Sequence, residues 1–117
     1  GDASIGNVLL GEDALLIDFD SSGLRPTGWD LSCMYTHLVL EAGKETEFAA
    51  MTEGWGQHAD VPRDVLPLAF VKAVMGTSFI LALDVSAERV AAIHQRTKAL
   101  HAWMLTGQPS RLHPIPA

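Results

Sequence analysis

Apolar positions along the chain change their rhythm once, near residue 20. Before that point they come as two short unbroken runs, Asn7-Val8-Leu9-Leu10 and Ala14-Leu15-Leu16-Ile17-Asp18, separated by Gly11-Glu12-Asp13. Two apolar runs around a turn-former predict a β-hairpin. The next stretch, SSGLRPTG at 21–28, is a cluster of Ser, Gly and Pro and reads as loop. From Trp29 onward the spacing is helical, and no further strand is predicted.

Four helices follow from that spacing. The first covers 29–42, with Leu31, Met34, Tyr35 and Leu38 at i, i+3, i+4 and i+7. Thr27 or Gly28 caps its start and Gly43 marks its end. The second covers 44–55, is more acidic, and ends in the Gly-rich EGWGQ. Pro62 opens the third at its first turn, where proline is tolerated, and Pro67 still lies near that end. Ser86 caps the fourth, and Glu88 sits in its first turn, where the helix dipole favours an acid. The stripe expected to be buried on that helix is Val90, Ile93, Leu100, Trp103 and Met104, with Thr97 completing the spacing. Gly107 and Pro109 end it, and the Pro-rich tail is extended. The expected fold class is α+β, mostly α: one N-terminal hairpin and about four packed helices in a single partial domain. Residues 1–20 form its hairpin region and 28–107 its helical part. There is no internal repeat.

Composition narrows the function classes. The chain has 117 residues, of which 48% are hydrophobic and 19% charged, as expected of one globular core and not of a disordered tail. Eight basic residues stand against fourteen acidic ones, a formal charge of −6, which disfavours a nucleic-acid partner. An acidic balance suits a cationic substrate, although it equally serves solubility. The single cysteine, Cys33, excludes a disulfide framework, and no secretion signal is visible. Both features point to the reducing cytoplasm. Residues 65–83 carry one charge, Lys72, and approach the length of a bilayer span. Lys72, Thr77 and Ser78 in the middle, and the lack of a flanking basic cluster, favour a buried core helix and no membrane partner.

The chemistry is concentrated near the hairpin. An apolar strand that ends in Asp18-Phe19-Asp20 admits two readings. It is similar to the first motif of the haloacid-dehalogenase phosphatases, in which one Asp attacks phosphorus and the other is an acid/base. That chemistry sits on a parallel sheet, so strands should alternate with helices downstream. The predicted elements do not alternate, and no downstream acidic pair for magnesium is present.

The upstream residues favour the second reading. Asp2 is followed by four residues and Asn7, then by the hairpin and Asp18. Kinase sites use this order: an Asp orients and deprotonates the substrate hydroxyl, and an Asn and a second Asp hold magnesium. A neutral amide oxygen and one carboxylate bind the metal without over-accumulating negative charge. A short hairpin returns the chain so that both ligands reach one site.

Gly1-Asp2, Asn7-Val8-Leu9-Leu10, Ile17-Asp18-Phe19 and Trp29-Asp30-Leu31 together resemble the aminoglycoside phosphotransferase family, small-molecule kinases of the protein-kinase-like fold. The resemblance covers residues 1–32. It implies that Asp2 is the catalytic base, that Asn7 and Asp18 ligate Mg2+, and that Asp30 braces the catalytic loop. Asp20 has no assigned role. The co-substrate would be ATP or GTP, and the acceptor a hydroxylated, cationic small molecule such as an aminoglycoside, with antibiotic resistance one implied role. Macrolides, choline-like alcohols and sugars are acceptors of similar frameworks.

The departures from the family are also specific. The usual His before Gly1, a Gly-rich phosphate loop, a strand Lys and its helix Glu are all missing from these residues. The expectation is therefore the C-terminal portion of a catalytic lobe, inactive alone, whose nucleotide lobe is absent. Such a piece exposes apolar surface and forms a homodimer to cover it. The alternative is a kinase-like remnant serving as a binding module.

Other candidates carry less. His94 and His101 lie two turns apart on one helix, roughly 10 Å at 1.5 Å per residue, too far for joint metal ligation. Cys33 sits beside the Leu31/Met34 stripe as an inert buried thiol. Trp29, Trp55 and Trp103 read as packing residues. Glu41, Glu45, Glu47, Glu53 and Asp60 read as a solvated helix face.

Overall fold

The structure is a computed structural model, and it describes residues 5–20, 22–54, 60–83 and 85–116. A 3-10 turn, Ile5–Asn7, leads into β1 (Val8–Leu10), which pairs antiparallel with β2 (Ala14–Leu16). Val8 faces Leu16 and Leu10 faces Ala14, so the loop is the expected Gly11-Glu12-Asp13. Helix α1 (Trp29–Met34) continues as a π-helical segment, Tyr35–Glu41. Helix α2 spans Glu45–Gly54. A second π-helical segment, Val61–Val65, runs into α3 (Leu66–Leu81), and α4 spans Ala87–Thr106. This is the mostly helical α+β order that the hydrophobic pattern predicts.

Local chemistry sets the boundaries. Ser86 accepts the Arg89 backbone N–H at 3.3 Å, and Gly107 ends α4 in the left-handed conformation at φ 70°. Asp60 caps the Val61–Val65 segment by accepting the N–H of Arg63, with Pro62 in its first turn. Gly28 starts α1 at φ 88° without a side-chain cap. A Cβ there would come within 2.6 Å of the Asp64 carbonyl oxygen, so only glycine permits this close approach. The wide turns at the end of the Tyr35–Glu41 segment bond the Ala42 N–H to the His37 carbonyl.

Two apolar clusters hold the helices together. Leu31, Leu38, Phe48 and Val65 form one, with Met34 and Tyr35 packed against it, as the α1 spacing predicts. Leu40, Ala69, Ala73, Leu100, Trp103 and Leu112 form the other. Ala69 and Ala73 are small and one turn apart, which lets Leu100 and Trp103 of α4 approach α3 closely. Phe70 meets Trp103 edge to face at 5.3 Å, and Tyr35 meets Phe48 at 5.2 Å.

Two helix faces differ from the sequence expectation. On α4 the buried positions are Ala92, Ile93, Arg96, Leu100 and Trp103, while Val90 and Met104 are exposed. The buried stripe is rotated from the predicted one because it follows Arg96, which has a partner across the fold. Helix α3 is not a buried core helix. Its window in Val61–Leu81 is 22% buried, and Val71, Val74, Met75, Phe79 and Leu81 face outward. Helices α1 and α4 pack on α3 and cover only its Ala69/Ala73/Thr77 face. By length and composition this segment is long and apolar enough to cross a membrane.

Candidate functional site

The hairpin brings two of the predicted site residues to one end. Asn7 ends the 3-10 turn just before β1, and its carbonyl accepts the Ile17 N–H at 2.8 Å. Asp18 is the next residue, so it follows the ladder at the end where Asn7 precedes it. Asp18 has φ 63°, the one positive φ outside glycine among the described residues. Left-handed backbone is costly for a residue with a Cβ, and Asp is among the few that tolerate it. Strain of this kind gathers where a side chain must be aimed against local preference. Both residues offer hard oxygen donors, an amide and a carboxylate, the donor type that suits magnesium. Two protein ligands are few, yet magnesium usually keeps waters and phosphate oxygens as its remaining ligands. No group of three or more His, Cys, Asp or Glu side chains converges among the described residues.

The other predicted residues are placed as follows. Asp2 lies outside the described residues, and so does the first part of the loop that Asp30 would brace. Asp30 itself is half-buried in the first turn of α1. Asp20 is exposed in the turn after β2. Cys33 is buried, as expected of an inert thiol. His94 and His101 are exposed. Trp103 is a core residue, and Trp29 is half-buried with the Lys72 ammonium 5.0 Å and the Arg25 guanidinium 5.7 Å from its ring. Trp55 lies outside the described residues.

The hairpin is largely uncovered. Leu9, Leu10, Leu15, Leu16 and Phe19 are exposed, Leu10 to 86%, and among the described residues no helix packs extensively on either strand. Apolar strands predict burial, and the described elements do not supply it.

A second polar centre was not legible in the sequence. Glu41, expected on a solvated face with Glu45, Glu47, Glu53 and Asp60, is instead half-buried and fully engaged. Its Oε1 accepts from Arg96 Nη1 at 2.5 Å, and its Oε2 lies 2.9 Å from His37 Nδ1. Burial opposes ionisation of Glu41, but the hydrogen bonds from His37 and Arg96 outweigh it and hold its pKa below the usual value. Arg96 is buried and also donates to the His113 carbonyl at 3.3 Å. The His37/Glu41 spacing of i, i+4 was visible in the sequence. The Arg96 partner, 55 positions away, was not. The remaining four acids of that set are exposed as expected.

No family model, curated protein or solved structure matches the chain. The kinase resemblance therefore rests on the motif residues and on the hairpin that joins them.

Proposed function

We propose that this chain carries the metal-binding part of a phosphotransfer site, in a small-molecule kinase that moves the γ-phosphoryl group of ATP or GTP to a substrate hydroxyl. The observation that carries this reading is the hairpin register, which places Asn7 opposite Ile17, the residue before Asp18, so that both proposed ligands lie at the same end of the ladder. The strained backbone of Asp18 supports it. Asn7 and Asp18 would hold Mg2+, which neutralises charge on the transferring group when bound. Asp2 would orient and deprotonate the hydroxyl. The phosphatase reading loses its support, because the sheet among the described residues is one antiparallel pair with no parallel strand.

A non-catalytic binding module is the second reading, favoured by the exposed leucines of the hairpin. Metal binding separates the two. Titration with Mn2+, read by paramagnetic broadening of backbone amides, should broaden Asn7 and Asp18 first. Asp18→Ala should abolish that effect. Broadening elsewhere, or none, overturns the metal assignment. These 117 residues contain no Gly-x-Gly-x-x-Gly phosphate loop, so the chain alone should turn over little or no ATP. Robust turnover would overturn that part of the reading.

A further inference from the structure

We infer that the cavity between α4 and the C-terminal tail is a binding site for a small organic anion, a molecule bearing a phosphate or carboxylate group. The cavity has a volume of about 680 Å³, within the range of small-molecule sites. It is separate from the hairpin, since no residue of 5–20 lines it.

Charge supplies the first argument. The chain carries a formal charge of −6, so an unpaired cationic pocket stands out against its surface. Among its eight Lys and Arg residues, Arg63 pairs with Asp64, Arg96 pairs with Glu41, and Arg25 and Lys72 lie over Trp29. The other four, Lys44, Arg89, Lys98 and Arg111, form no salt bridge among the described residues, and of these Lys98 and Arg111 both line this cavity. Glu41 is the one carboxylate in the lining, and both its oxygens are occupied by Arg96 and His37. Gln95 and His113 add hydrogen-bonding groups.

Construction supplies the second. Leu112 is fully buried, and its N–H donates to the Leu40 carbonyl at 2.9 Å. That bond pins an extended tail, in which neighbours of an inward residue turn the other way. Arg111 and His113 are those neighbours, and both reach the cavity. The Arg111 guanidinium lies against Gly43, where a Cβ would overlap Nη1. Gly43 thus leaves the room in which that planar fork sits. A guanidinium binds phosphate or carboxylate through two parallel N–H donors, and the Lys98 ammonium adds a point charge. Ala99 and Pro114 give the ligand body an apolar wall.

The test titrates the chain with pyrophosphate and, separately, with citrate, at constant ionic strength set by chloride, reading amide shifts by NMR. Saturable shifts at Lys98, Arg111 and His113 are expected with at least one probe, and the tighter probe names the anion class. Lys98→Ala and Arg111→Ala should each weaken binding about tenfold, while Arg63→Ala leaves it unchanged. Both side chains are exposed, and an unaltered amide spectrum elsewhere shows that each variant is folded. No saturable shift with either probe overturns the inference. Equal weakening in Arg63→Ala also overturns it, since that is diffuse attraction to net charge.

Discussion

Arg96 on α4 donates to Glu41 at the end of the Tyr35–Glu41 segment, across 55 positions of sequence, and both side chains are shielded from solvent. The pair ties the last helix to the first. Removing one member leaves the other's charge buried without compensation, which costs more than an exposed pair could ever contribute. Glu41→Gln should therefore destabilise the fold by about 3 kcal/mol, measured by urea unfolding. The double variant Glu41→Leu with Arg96→Met should recover much of that loss, because it buries no charge. A double variant as unstable as the sum of the single ones would contradict this account.

The same carboxylate sets an acid limit. Its folded pKa is depressed, so its contribution is present above the unfolded glutamate value, about 4.3, and is lost as pH falls through the lower folded value. The thermal midpoint should drop on acidification below about pH 4.5 more steeply in the native chain than in Glu41→Gln. Parallel curves for the two would remove Glu41 from the explanation.

Asp18 separates stability from function. Its backbone is left-handed at φ 63°, which glycine adopts freely. Asp18→Gly should leave the fold unchanged or stabilise it by up to about 1 kcal/mol. Asp18→Val should destabilise it, since a β-branched residue resists that conformation. Both substitutions should abolish Mn2+ broadening at the hairpin. Metal binding that survives in Asp18→Gly would detach the metal from this residue.

Gly28 offers a steric test. It combines φ 88° with a carbonyl 2.6 Å from any Cβ, so Gly28→Ala should cost more than the roughly 1 kcal/mol of the conformational term alone. Gly107→Ala, with a similar φ of 70° and open space around it, should cost only that term. Thermal unfolding of the two variants compares a clash with a bare torsional penalty. Equal losses would mean that α1 yields to the added methyl.

Much of this fold is written locally. The hairpin, the Ser86 cap, the prolines at the helix starts and the glycines at the ends act within a few residues, and the structure places each where the pattern does. The α1 stripe of Leu31, Met34, Tyr35 and Leu38 also lands on one cluster. Burial was less legible. Periodicity marks a face as apolar, but neighbouring elements decide whether it is covered: the neighbours of α3 all pack on one of its faces, and among the described elements no helix packs extensively on the hairpin.

The candidate site divides along the same line. The order Asn7, hairpin, Asp18 is a sequence property, because a three-residue turn and two short strands fix which ends meet. The sequence by itself determined the elements, their boundaries and that pairing, all products of short-range sterics and hydrogen bonds. Tertiary structure alone brought Arg96 to Glu41, seated Arg111 against Gly43 and set the same arginine beside Lys98 of α4. Those contacts join residues tens of positions apart. No local preference encodes them, and only the packing of α4 and the tail on the earlier helices brings their charges within reach.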